Sequence, residues 1–167
     1  MGAWLASISP SRRSSGLGRA SPDGHFIRAD ILESNFDDGA FDAVVALFVL
    51  THIPTAELPG LLHRISDWLR PEGWFLATFS SAGAHDELDD WLGVPMFFSG
   101  LDPSKNEELL KAAGMRVVES QVEPMQEPEG EVRFHWLLAQ KLTDGSGPSS
   151  TAPNAGFNDR TCRRTPL

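Results

Sequence analysis

Residues 41–79, FDAVVALFVLTHIPTAELPGLLHRISDWLRPEGWFLATF, constrain the fold of this chain more than any other stretch. They read as a buried strand, an amphipathic helix and a second buried strand in direct succession, which is a βαβ unit. Two parallel strands need a crossover between them, and that crossover is nearly always right-handed. The unit therefore predicts an open α/β sheet with a ligand crevice beyond its strand ends. Residues 41–50 are apolar on both faces, the pattern of a central parallel strand covered by helices. In residues 55–70, Leu58, Leu61, Leu62, Ile65, Trp68 and Leu69 recur at the spacing of one helical stripe. Pro59 stands early, where a missing N–H does little harm, and Arg70 suits the negative end of the dipole. Pro71 and Gly73 stop the helix before a strand at 74–79.

The flanks are less regular. Residues 9–24, SPSRRSSGLGRASPDG, carry Ser, Arg, Gly and Pro without an apolar period, as a loop does. HFIRADI then reads as a short strand, and SNFDDGA as a turn leading to Phe41. Residues 80–100, SSAGAHDELDDWLGVPMFFSG, show no clean period and read as a long excursion from the sheet edge, where function often resides. Ser104 followed by Glu107 predicts a capping box opening a helix at 105–113, with Gly114 as its left-handed cap. Residues 115–122 and 132–141 predict a closing hairpin around Glu127-Pro128-Glu129-Gly130. The chain thus divides into a loop or disordered remnant (1–24), one α/β domain (25–141) and a tail (142–167) with too little apolar material to order it.

Composition excludes several classes. A length of 167 residues with 41% apolar side chains suits one sheet-based core. Residues 31–141 hold 7 basic against 19 acidic side chains. That balance argues against nucleic acid, whose binding depends on clustered Lys and Arg. The lone cysteine, Cys162, builds neither a disulfide framework nor a thiolate metal site within one chain, which fits a reducing cytoplasm. No apolar run approaches the roughly 20 residues of a membrane span. His25, His52, His63, His85 and His135 are scattered, and no metal constellation is predicted.

Four segments in order, FIRADI, FDAVVALFVLTHI, LLHRISDWLRPEGWFLATF and LLKAAGMRVVES, resemble the later motifs of class I S-adenosylmethionine-dependent methyltransferases of the type 11 kind. The resemblance covers about 26–141 and implies a partial Rossmann-like sheet, mostly parallel with an antiparallel C-terminal hairpin. It implies S-adenosylmethionine as cofactor, with Asp30 accepting the adenine amino group, Ile31 packing on the ring and Leu47 lining the methionine end. A carboxylate beside an apolar wall can read one edge of a flat heterocycle. WLASISPSR resembles the family's second strand, with Ser7 near the position where an acid grips the ribose. The glycine-rich turn of the family has no counterpart in the sequence, and Gly16-Leu17-Gly18 is a weak imitation, so weak or lost cofactor binding is expected of this chain.

Methyl transfer is an in-line displacement that gains most from positioning, so a catalytic dyad is not required. Where the acceptor must lose a proton, His52 and His85 are the candidate bases, with Asp89 and Asp90 behind them. His52 would otherwise orient its turn through a backbone hydrogen bond. Trp91, Phe97 and Phe98 read either as the wall of a small-molecule acceptor pocket or as core. The implied activity is methyl transfer to a small molecule. The rival is a non-catalytic module that self-associates through an exposed sheet edge.

Overall fold

The computed structural model describes residues 3–8, 24–128 and 130–143. Most of residues 9–24 and of the tail 142–167 therefore lie outside the described part. Among the described residues, eight strands and two α-helices follow in the order β1 (Ala3–Ile8), β2 (Gly24–Ala29), β3 (Phe41–Ala46), α1 (Leu58–Trp68), β4 (Leu69–Ser80), β5 (His85–Trp91), β6 (Val94–Gly100), α2 (Pro103–Ala112), β7 (Met115–Glu127) and β8 (Gly130–Lys141).

The main sheet has the order β3-β4-β8-β7. β3 and β4 are parallel, joined by α1 as the βαβ pattern requires, while β8 runs antiparallel to both β4 and β7. Parallel pairing in the main sheet is thus confined to β3 and β4. Two further two-stranded sheets stand beside it, β1-β2 and β5-β6, both antiparallel.

The stripe read from residues 55–70 becomes the inner face of α1, where Leu58, Leu61, Leu62, Ile65 and Trp68 are buried. They pack with Phe75, Ala77 and Phe79 of β4, Leu137 and Ala139 of β8, and Leu110 of α2 in one core cluster. The alternation along β4 and β8 places that cluster on a single face of the sheet. Burying each large side chain in it contributes on the order of 1.5–3 kcal/mol.

Three local expectations are corrected by the structure. Residues 41–46 form the edge of the main sheet and not its centre: among the described residues no strand pairs beyond β3, and Val45 is 60% exposed. Arg70 leaves the last turn of α1 and enters β4, where its guanidinium pairs with Asp42 of β3. Asp102, not Ser104, is the N-cap of α2, and Glu107 turns away from the cap to meet Ser120 and Lys111. The left-handed Gly114, at φ 78°, does end α2 as predicted.

The largest departure from the sequence reading lies in residues 80–100, where the irregular excursion is a β-hairpin. β5 and β6 pair from His85↔Gly100 to Trp91↔Val94 around Leu92-Gly93, both left-handed at φ 53° and 82°. Such a two-residue turn matches the twist of its strands. The Asp90 carboxylate accepts the Gly93 N–H at 2.8 Å and closes the tip.

Candidate functional site

Parallel strands bring the segments that follow them to the same end of a sheet. Residues 47–55, after β3, and 81–84, after β4, accordingly emerge together. The start of β8 joins them, since Phe134 pairs with Ser80. Ligands of open α/β sheets bind at this end. A cavity of about 790 Å³ lies there, and the β5-β6 hairpin supplies one of its walls.

Hydrogen bonds fasten that hairpin to residues 52–55. The Thr55 N–H and hydroxyl both donate to the Asp86 carboxylate, at 3.0 and 2.8 Å. The Ser99 hydroxyl donates to the Ile53 carbonyl. His52 Nδ1 lies 2.8 Å from the Phe97 carbonyl, and because a carbonyl only accepts, Nδ1 carries the proton. In the neutral ring Nε2 then holds the free lone pair. The same reasoning applies to His85, whose Nδ1 donates to the Gly83 carbonyl at 2.9 Å.

The cavity gathers His52, His85 and Trp91, three residues singled out in the sequence, on one surface. Asp89 and Phe98 also line it, whereas Asp90 closes the hairpin tip and Phe97 contributes its carbonyl to His52. The two readings of His52 are therefore compatible: one ring nitrogen orients the turn while the ring borders the cavity, 5.2 Å from the Phe98 ring.

Asp30, Ile31 and Leu47 are not among the residues lining this cavity. Asp30 follows β2, and its Oδ1 accepts the Leu32 N–H at 2.8 Å in a tight local turn. Ile31 packs partly buried against the core. Arg64 of α1 reaches across to the same turn, donating to the Leu32 carbonyl at 2.7 Å and the Ile31 carbonyl at 3.4 Å. Leu47 is 38% exposed in the bend after β3.

Sequence reasoning missed Ser80, Glu87, Met96 and Met125, together with the start of β8, all of which border the cavity. For β5 a signal existed: His85, Glu87, Asp89 and Trp91 are alternate residues, and alternation places them on one face of a strand. Their acidity masked it, since acids are poor strand formers.

A buried network abuts the site through Ser80. Both N–H bonds of the Asn106 amide are directed, one to the Ser80 carbonyl at 3.1 Å and the other to His135 Nδ1 at 3.4 Å. The Ser120 hydroxyl donates to Glu107 at 2.8 Å, so His135 Nε2, also 2.8 Å from Ser120, must be the protonated nitrogen. His135 is neutral in this chain of donors. Burial holds its pKa below the usual 6.5, with Glu107 pulling weakly the other way.

The strand order β3-β4-β8-β7, with its antiparallel last hairpin, accompanies a match of residues 5–77 to the family model described as methyltransferase domain. This is a methyltransferase fold. Solved methyltransferases superpose on it at low identity. A S-adenosylmethionine-dependent methyltransferase from Methanosarcina mazei is 17% identical with a TM-score of 0.58, covering 68% of this chain and 65% of that one. The Burkholderia thailandensis 1,6-didemethyltoxoflavin-N1-methyltransferase, solved with 1,6-didemethyltoxoflavin and S-adenosylhomocysteine bound, is 23% identical with a TM-score of 0.55, covering 69% and 49%. A Mesorhizobium loti S-adenosylmethionine-dependent methyltransferase is 15% identical with a TM-score of 0.52, covering 68% and 67%. The chain thus spans between about half and two thirds of the length of these structures. No curated protein matches the sequence. Among the described residues no helix is long and apolar enough to cross a membrane.

Proposed function

We propose that this methyltransferase fold works with S-adenosylmethionine on a small-molecule acceptor held in the cavity beyond β3 and β4. The observation that carries this reading is the convergence of His52, His85 and Trp91 on a cavity of about 790 Å³ at the carboxyl end of the parallel pair. A reducing, cytoplasmic setting goes with it, as the lone Cys162 suggests.

The residues present fit the adenine end of the cofactor. Asp30 has one carboxylate oxygen engaged in its own turn, which leaves the other for an amino group, and Ile31 is the adjacent apolar surface. Leu47 would border the methionine end. The glycine-rich turn that would receive the carboxypropyl end has no match in this sequence, so the fit is partial and the expected affinity low. When bound, S-adenosylmethionine supplies an electrophilic methyl carbon. This chain's own contribution is to hold the acceptor between its apolar walls in line with that carbon. Where the acceptor must lose a proton, Nε2 of His52 or His85 is the basic atom available to take it.

Calorimetric titration of the chain with S-adenosylhomocysteine tests the donor half. Weak, saturable binding that Asp30→Ala removes is expected. Absence of saturable binding up to millimolar concentration overturns it and favours the non-catalytic module. In that case the edge of β3, unpaired among the described residues and with Val45 exposed, is where self-association would occur, and light scattering would read it.

A further inference from the structure

The β5-β6 hairpin is patterned the wrong way round for a solvated flap. Alternate residues Glu87 and Asp89 border the cavity, whereas Leu88 between them does not and is 70% exposed. A strand that merely covered apolar surface would turn its leucine inward and its acids to water. Across the hairpin, Glu87 pairs with Phe98 and Asp89 with Met96, both also cavity residues. Each carboxylate is therefore set directly beside an apolar neighbour on the same wall.

The opposite wall repeats the mixture. Met125, Val132 and Phe134 are apolar, and Glu127 and Glu131 add two more acids. Among the described residues Arg133 is the one Lys or Arg side chain lining the cavity, and it lies 3.8 Å from Glu131. Four carboxylates against one guanidinium leave an acidic rim around an aromatic and methionine interior. Aromatic faces attract cations, and carboxylates at the rim strengthen that attraction where water is partly excluded.

We infer that the cavity selects an organic cation: an amine, protonated at neutral pH, carried on a flat or aryl body that rests against Trp91, Phe98 and Phe134. This deepens the acceptor reading given above and rests on it for the role of the bound amine. An amine acceptor would have to give its proton to His52 or His85 before its nitrogen lone pair became available.

The test is calorimetric titration of the full 167-residue chain with three probes of nearly equal shape: phenethylamine, 2-phenylethanol and 3-phenylpropanoate. The cation is expected to bind about tenfold more tightly than the neutral alcohol, and the anion more weakly than either. The preference should shrink in high salt. The double variant Glu87→Gln, Asp89→Asn, at exposed positions of nearly unchanged shape, should reduce that preference several-fold while leaving the affinity for the alcohol unchanged. Equal binding of the three probes, preference for the anion, absence of binding, or a cation preference undiminished in the double variant each overturns the inference. No donor is present in these titrations, so failure of S-adenosylhomocysteine to bind leaves this result separately readable.

Discussion

The Thr78 hydroxyl accepts the Phe48 backbone N–H at 2.6 Å, and it pins a residue held in the left-handed region at φ 56°. That conformation is costly for a residue with a Cβ and persists only where the surroundings impose it. Here they do: the Phe48 ring stands edge-on to Phe134 at 4.9 Å and to Trp136 at 5.8 Å. The strained residue borders the cavity, so its ring is part of the cavity wall.

Replacing fully buried Thr78 by Val keeps the shape and deletes the acceptor. The Phe48 N–H is then left without its partner, a loss of about 1–3 kcal/mol. Urea unfolding should show that cost for Thr78→Val and less of it for Thr78→Ser, which retains the hydroxyl. Near-ultraviolet circular dichroism should change as the aromatic trio relaxes. Equal stability of the two variants would dismiss the pin.

Acid should loosen the α2-β7-β8 corner. His135 is held below 6.5 by burial, and Glu107 below 4.5, first by the Ser120 hydrogen bond and then by Lys111. Both groups bind fewer protons folded than unfolded, so stability falls as pH falls. The His135 contribution is intact above about pH 6.5 and is lost as pH drops from there through its lowered folded value; that of Glu107 follows below about 4.5. Urea midpoints measured from about pH 8 down to pH 4 should decline in that window. In His135→Gln the part of the decline that begins near 6.5 should be absent. A flat profile in the parent protein would contradict the neutral assignment of His135.

Gly100 gives way to the His85 ring. A Cβ at Gly100 would stand 2.4 Å from His85 Cε1 and 2.7 Å from the Ser80 hydroxyl oxygen. Gly100→Ala should displace the imidazole from its bond to the Gly83 carbonyl and cost about 1–3 kcal/mol. The His85 ring resonances would report the displacement. In a His85→Ala background the same change should cost less, leaving only the Ser80 clash, and an undiminished cost would show that the ring is not what Gly100 accommodates.

Arg64 ties the turn after β2 to the crossover helix through the Ile31 and Leu32 carbonyls. Arg64→Met keeps the aliphatic stem and removes both bonds, for a loss of about 1.5–3 kcal/mol. Hydrogen exchange should quicken at Leu32 and Glu33, whose amides are held by the Asp30 side chain and carbonyl. Unchanged exchange there would mean that the turn stands without the helix.

The parts of this fold that were legible from sequence are those set by periodicity and chain punctuation. The α1 stripe and the cap at Gly114 depend on local pattern and appear where the pattern puts them; the strand expected at 74–79 is there too, but it begins already at Leu69, so Pro71 and Gly73 lie within it and do not stop the helix. Position within the sheet is not local: residues 41–46 are apolar enough for a sheet centre, yet which strands flank them depends on distant segments. The hairpin at 85–100 was hidden for a related reason, because its acids oppose strand formation and its pairing is paid for by contacts with Thr55, His52 and Ile53. Of the site, His52, His85 and Trp91 were visible as residue types, while Thr78, Arg64 and the inward turn of Glu87 became apparent only with their partners in place.

The β5-β6 flap has one further consequence. It contributes none of the residues of the central cluster and is clipped to the loop before α1 by a handful of polar contacts. Unfastening so few clips leaves the cluster whole, so the flap can swing while the body stays folded. Dwell time in the chamber would then be governed by how often the latch at Thr55 and Asp86 releases, separately from how tightly the walls grip their guest.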